Sequence, residues 1–119
     1  MTTPVSLASA QSAVAAKPAS KAAADAVSDD PVAALCDALL ALDSPDDARR
    51  FLTDLCTPAE IRALSERWHV ARLLDAGGKS YRDISEQTGV STATIVRVAR
   101  FLRDEPHQGY RAVLDRTKA

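Results

Sequence analysis

Three times in the first two thirds of the chain, a side chain able to cap a helix stands directly before a proline: Asp30-Pro31, Ser44-Pro45 and Thr57-Pro58. A proline at the first helical position has its φ preset, and the amide it lacks would have no partner there. The preceding oxygen accepts one of the remaining free amides. Asp46 and Asp47 follow the second proline and Glu60 the third, placing acid in the first turn. Asp47 and Glu60 are also spaced to reach back in a capping box. The third helix should run to about Ala76, where Gly77-Gly78 supplies a left-handed residue, and Ser80 caps a fourth, shorter helix. The chain is 46% hydrophobic but only 4% aromatic, with Ala and Leu dominant and few β-branched runs, which favours helices over a sheet. An all-α chain of about five to six helices is expected, and 119 residues give room for one domain.

The first helix carries Val32, Leu35, Cys36, Leu39, Leu40 and Leu42 around much of its circumference. That is more apolar surface than a helix lying on one core requires. It is either enclosed by its own monomer or covered by a second copy, for which an intertwined two-fold dimer is the economical arrangement. On the third helix Ile61, Leu64, Trp68, Ala71 and Leu74 form a core-facing stripe. Beyond Pro106, residues 107–116 suit a last short helix with Tyr110, Val113 and Leu114 spaced to pack back. Residues 1–30 are rich in Ala and Ser with almost no large apolar side chains, and read as a disordered tail before a helical domain over 31–119. The competing reading is that Ala22 to Ala24 extend the first helix backwards.

Residues 80–103 read SYRDISEQTGVSTATIVRVARFLR, two short helical patterns joined around Gly89. Two helices crossing near a right angle need a glycine at the turn and a small residue where the second passes over the first. Gly89 and Ser85 stand in those places, and Ile84, Val90, Ile95 and Val98 occupy the inner positions. A helix-turn-helix follows, with its second helix over 92–103. Ser91, Thr92, Ala93, Thr94, Val96, Arg97 and Arg100 are left as a small, polar and basic surface able to enter a major groove. Lys79 and Arg82 lie at the start of the preceding helix, where a phosphate backbone would pass. The alternative is an ordinary helical hairpin with a solvated basic face.

Together, Leu55-Cys56-Thr57-Pro58-Ala59-Glu60, Ala63-Leu64, Arg67, Leu73-Leu74, Thr88-Gly89 and Ala93-Thr94-Ile95 with Arg97 resemble the Trp repressor superfamily. Leu35-Cys36-Asp37, Asp54-Leu55-Cys56-Thr57 and Ser91 to Ile95 bring the likeness closest to its Trp-repressor-related YerC/YecD group, over about residues 33–116. The resemblance implies an intertwined homodimer whose N-terminal helices interlock and whose recognition helices meet successive major grooves of a palindromic operator. It also implies transcriptional regulation, with a repressor the expectation. In the Trp repressor two arginines and a threonine hold the corepressor, and the matching positions are Arg67, Arg97 and Thr57. Val98 stands where the family has a glycine that makes room for the indole, and Phe101 where it has a serine. The added bulk implies a pocket filled against tryptophan. Whether another small effector binds stays open, as does an ion pair of Arg67 with Glu66 or Asp83.

Whole-chain charge of −1 gives no support to a polyanion partner, but its distribution does. Asp37, Asp43, Asp46, Asp47, Asp54 and Glu60 outweigh Arg49 and Arg50, whereas Lys79, Arg82, Arg97, Arg100 and Arg103 outweigh Asp83 and Glu86. Arg116 and Lys118 add non-specific attraction to DNA or are simply solvated. Cys36, Cys56, His69 and His107 match no zinc spacing, so no metal or cofactor is expected. Ser80, Asp83 and Glu86 are accounted for by capping and solvation, so no catalytic assembly is expected and the chain is not read as an enzyme. With no run of about 18 apolar residues and no disulfide framework, a cytoplasmic protein is expected. The expected partners are double-stranded DNA and a second copy of the chain. The competing class is a helical protein-interaction module on the same fold.

Overall fold

The computed structural model describes residues 29–118, so the expectations for the first 28 residues, tail or helix extension, lie outside the described residues. The described residues form six helices and no strand: α1 (Pro31–Leu40), α2 (Pro45–Leu55), α3 (Pro58–Ala76), α4 (Tyr81–Thr88), α5 (Thr92–Arg103) and α6 (Gly109–Thr117). No described helix is long and apolar enough to cross a membrane. The chain falls into two compact units, Met1–Ala48 and Arg49–Ala119, with the division inside α2.

In the first unit the Asp30 carboxylate accepts the amides of Val32 and Ala33 at 3.0 and 3.2 Å, so α1 starts at its proline as the sequence requires. No residue of α1 is buried. Val32 is 70% and Leu40 85% exposed, and Leu35 and Leu39 are exposed beside them. The Ser44 hydroxyl accepts the Asp47 amide at 3.0 Å, fixing the start of α2. A hydrogen bond with Asp43, assisted by desolvation and by that neighbour's charge, raises the Asp47 pKa above the ordinary carboxylate value.

In the second unit α3 opens with a capping box. The Thr57 hydroxyl accepts the Glu60 amide at 3.1 Å, and the Glu60 carboxylate accepts the Thr57 amide at 2.8 Å. The helix ends at Gly77, whose φ of 78° and ψ of −179° belong to a region open essentially only to glycine. Helix α3 packs on α4, α5 and α6. The core consists of Val70, Ala71, Leu74, Ile84, Val90, Ile95, Val98, Ala99, Leu102 and Leu114, with Trp68, Leu73 and Tyr110 against it.

Two expectations about packing need correction. Of the α3 stripe only Ala71 and Leu74 are buried; Ile61 and Trp68 are half-buried and Leu64 is exposed, whereas Val70, outside the stripe, is fully buried. The cause is that the buried positions of α3 lie only in its C-terminal half, where neighbours on several sides widen the covered arc. In α6 Leu114 is buried and Tyr110 stacks on Trp68 with ring centroids 6.4 Å apart, but Val113 is exposed. This helix begins at Gly109 because Gln108 takes a left-handed φ of 56°. It is clamped to the end of α3 through Asp75, whose carboxylate accepts from Arg111 at 2.7 Å and from Lys118 at 3.1 Å. Those hydrogen bonds, Arg111 first, hold the Asp75 pKa below its ordinary value.

Candidate nucleic-acid interface

The angle between α4 and α5 is set by a compact network of local contacts. The Ser80 hydroxyl accepts the Asp83 amide at 3.0 Å while the Asp83 carboxylate accepts the Ser80 amide at 3.1 Å, which caps α4 reciprocally. Gly89 ends that helix in the left-handed conformation, φ 79°, and its amide donates to the Ser85 carbonyl at 2.8 Å. Ser85 is the small residue at the crossing, and its hydroxyl donates to the Val90 carbonyl at 2.7 Å. The Thr88 hydroxyl donates to the Ile84 carbonyl and accepts the Val90 amide. These bonds supply partners for backbone groups that a sharp turn would otherwise leave unpaired. Beneath them Ile84, Ile95 and Val98 are fully buried and Val90 nearly so.

Ser91 caps α5, its hydroxyl accepting the Thr94 amide at 3.2 Å and donating to the Thr94 hydroxyl at 3.0 Å. Both side chains anticipated as DNA contacts therefore already shape the N-terminus of α5. Thr92, Ala93, Val96, Arg97 and Arg100 are exposed and Thr94 is half-buried, so the outward surface is the one expected from spacing. Lys79 and Arg82 are exposed at the start of α4. Arg82 pairs with Glu86 one turn on at 3.2 Å, with both side chains largely in solvent, and such a pair is weak and readily exchanged. Arg100 and Arg103 sit in the last turn of α5, where the helix dipole favours positive charge.

One contact escaped the sequence reading: an Arg103 guanidinium nitrogen donates to the Tyr81 hydroxyl at 3.4 Å, tying the end of α5 to the start of α4. A pair so far apart in sequence has no local spacing signature. The Arg97 guanidinium also lies over the Phe101 ring at 4.5 Å from the centroid. The two residues stand one helical turn apart, a spacing that permits the contact.

The Trp repressor protein family matches residues 30–118. The chain belongs to this family. It is 43% identical over 84 residues to the uncharacterized protein YerC of Bacillus subtilis strain 168, spanning 71% of this chain and 79% of that protein. A TrpR-like protein from Eubacterium eligens has a crystal structure that superposes with a TM-score of 0.65 at 45% identity, covering 71% of this chain and 86% of that one. A second, from Staphylococcus aureus, gives 0.66 at 40% identity, covering 71% and 83%. The fold is that of the Trp repressor family, all helical and built around a helix-turn-helix.

The positions matching the family's ligand set are placed as follows. Thr57 is the N-cap of α3, its hydroxyl already accepting the Glu60 amide. Arg67 is half-buried on the same helix and makes no ion pair with Glu66 or Asp83. It stands about 15 Å from Thr57 along the helix axis. Arg97 rests on Phe101, and Val98 is fully buried within the core. Among the described residues no group of His, Cys, Asp and Glu side chains is arranged to hold a metal ion.

Proposed function

We propose that the chain is a sequence-specific, DNA-binding transcriptional regulator of the Trp repressor family, acting as a cytoplasmic homodimer, most simply as a repressor, and not as an enzyme. The observation that carries this reading is the exposed face of α5. A helix N-terminus held by the Gly89 turn and the Ser91 cap presents small side chains and two arginines outward, a shape that fits a major groove. In this reading Thr92, Ala93 and Val96 meet base edges and Arg97 and Arg100 bases or phosphates. Lys79 and Arg82 meet the backbone, and Ser91 and Thr94 orient the helix end toward it. Residues 31–119 then work as one domain once two chains interlock, because the exposed leucines of α1 gain a cover from the second chain.

The regulator is proposed to act without tryptophan. Val98 and Phe101 put bulk where the family's ligand is held, and Arg97 is engaged with an aromatic ring of its own chain. Thr57 and Arg67 leave a remnant of the ligand set, to which a different small effector is the remaining candidate.

Titration of the purified protein with duplex DNA over a range of salt tests the reading. Counterion release predicts that affinity falls steeply with salt, and that Arg97→Ala or Arg82→Ala weakens binding more than any change in residues 1–30. Unchanged affinity in both variants would mean that a different face is used. The exposed apolar residues of α1 favour, as a second reading, docking of a protein partner. Binding of that kind would persist at high salt.

A further inference from the structure

Arg97, Arg100 and Phe101 project from one face of α5, and the ring is half-buried between exposed arginines. The guanidinium carbon of Arg97 is 4.5 Å and that of Arg100 5.1 Å from the Phe101 centroid. After Arg103 the chain turns and brings His107 against the same ring, with centroids 6.1 Å apart and planes within 14°. Glu105, from the same turn, lies 3.7 Å from Arg100 Nε and 3.9 Å from His107 Nε2. Phe101 is not part of the buried core, so packing alone does not account for an aromatic residue here.

We propose that Phe101 is a positioning residue for DNA binding: its ring, which also stacks with His107, holds Arg97 and Arg100 in place before a duplex arrives. The inference rests on the DNA-binding reading above. A guanidinium stacked on a ring keeps its N–H donors, which lie in its own plane, free at the edge. An arginine loose in solvent loses rotamer freedom when it is fixed on a base or phosphate. One already resting on a ring loses less, and the saving appears as affinity. Glu105 draws Arg100 toward the turn, which leaves Arg97 as the arginine more open to DNA.

The test compares Phe101→Leu, which keeps apolar bulk and removes the π face, with Phe101→Tyr, which keeps the face. Affinity is measured by fluorescence anisotropy on a duplex long enough to present two successive major grooves, with thermal unfolding and arginine side-chain NMR on the same samples. Phe101→Leu should bind roughly tenfold more weakly, with the ring-current shift of the Arg97 Nε–H resonance lost, while Phe101→Tyr restores both. In an Arg97→Ala, Arg100→Ala background the leucine substitution should cost nothing further. Wild-type affinity in Phe101→Leu, failure of Phe101→Tyr to rescue, or an equal further loss in the double-alanine background would each overturn the proposal. If the wild type itself binds no duplex, the DNA-binding reading fails and this inference with it. A binding wild type matched by Phe101→Leu removes this inference alone.

Discussion

Ile84, Val90, Ile95 and Val98 around the α4–α5 turn are buried within the chain, whereas Val32, Leu35, Leu39 and Leu40 of α1 are exposed. The first set closes on itself through α3 and α6, with every turn hydrogen bond made locally. The helix-turn-helix is thus preformed in one chain. In α1 a cap and a proline fix where the helix starts, but no residue of the helix is buried. These exposed apolar side chains, around much of the helix circumference, are the ground on which a second chain is proposed as its cover.

The largest expected effect lies on the open side of this contrast. Leu40→Glu should leave a single chain almost untouched, yet a two-fold interface would receive the substitution twice. Loss of a buried leucine is worth about 1.5–3 kcal/mol at each occurrence, so the proposed dimer should weaken by about 3–6 kcal/mol. Sedimentation velocity over a concentration series would register this, and an unchanged distribution would mean that Leu40 faces solvent in the assembly too. On the closed side, Ile95→Ala removes a fully buried side chain and should cost about 2–5 kcal/mol in urea unfolding. A loss below about 1 kcal/mol would show a head less tightly packed than its burial indicates. Gly89→Ala meets no atom within 4 Å, so only the left-handed backbone resists it, at about 1–2 kcal/mol.

Acid offers the subtlest separation, because the two regions should respond with opposite sign. The Asp75 pKa is lowered by Arg111 and Lys118. Its contribution is therefore complete above the ordinary value of 3.8 and drains away as pH falls through the lowered folded value. The Asp47 pKa is raised by Asp43, so that corner gains stability as pH falls through the raised value. Asp75→Asn should flatten the acid loss in unfolding curves, and Asp43→Asn should flatten the acid gain. The same slope in either variant as in the wild type would remove that residue from the account of acid stability.

Legibility in the sequence follows the same divide. Helix starts at Asp30, Thr57 and Ser80, the stop at Gly77 and the turn at Gly89 were readable because each depends on contacts a few residues apart. The inner positions of the helix-turn-helix were readable for the same reason. Val70 was not, because its burial depends on which helices gather at the C-terminal half of α3, and the exposure of Val113 is likewise a tertiary outcome. The Arg103–Tyr81 contact and the Asp75 clamp join residues distant in sequence. In the candidate site the identities of the outward residues were legible, whereas the engagement of Ser91, Thr94 and Arg97 with their own chain became visible only with side chains in place.

The most direct test is selection of binding sites from random duplexes by the purified protein at about 0.1 M salt, with tryptophan in one arm and none in the other. A preformed head carried on a two-fold dimer predicts enrichment of one palindrome, with equal strength in both arms. Enrichment only with tryptophan would contradict the filled pocket, and no enrichment in either arm would contradict the DNA-binding reading itself.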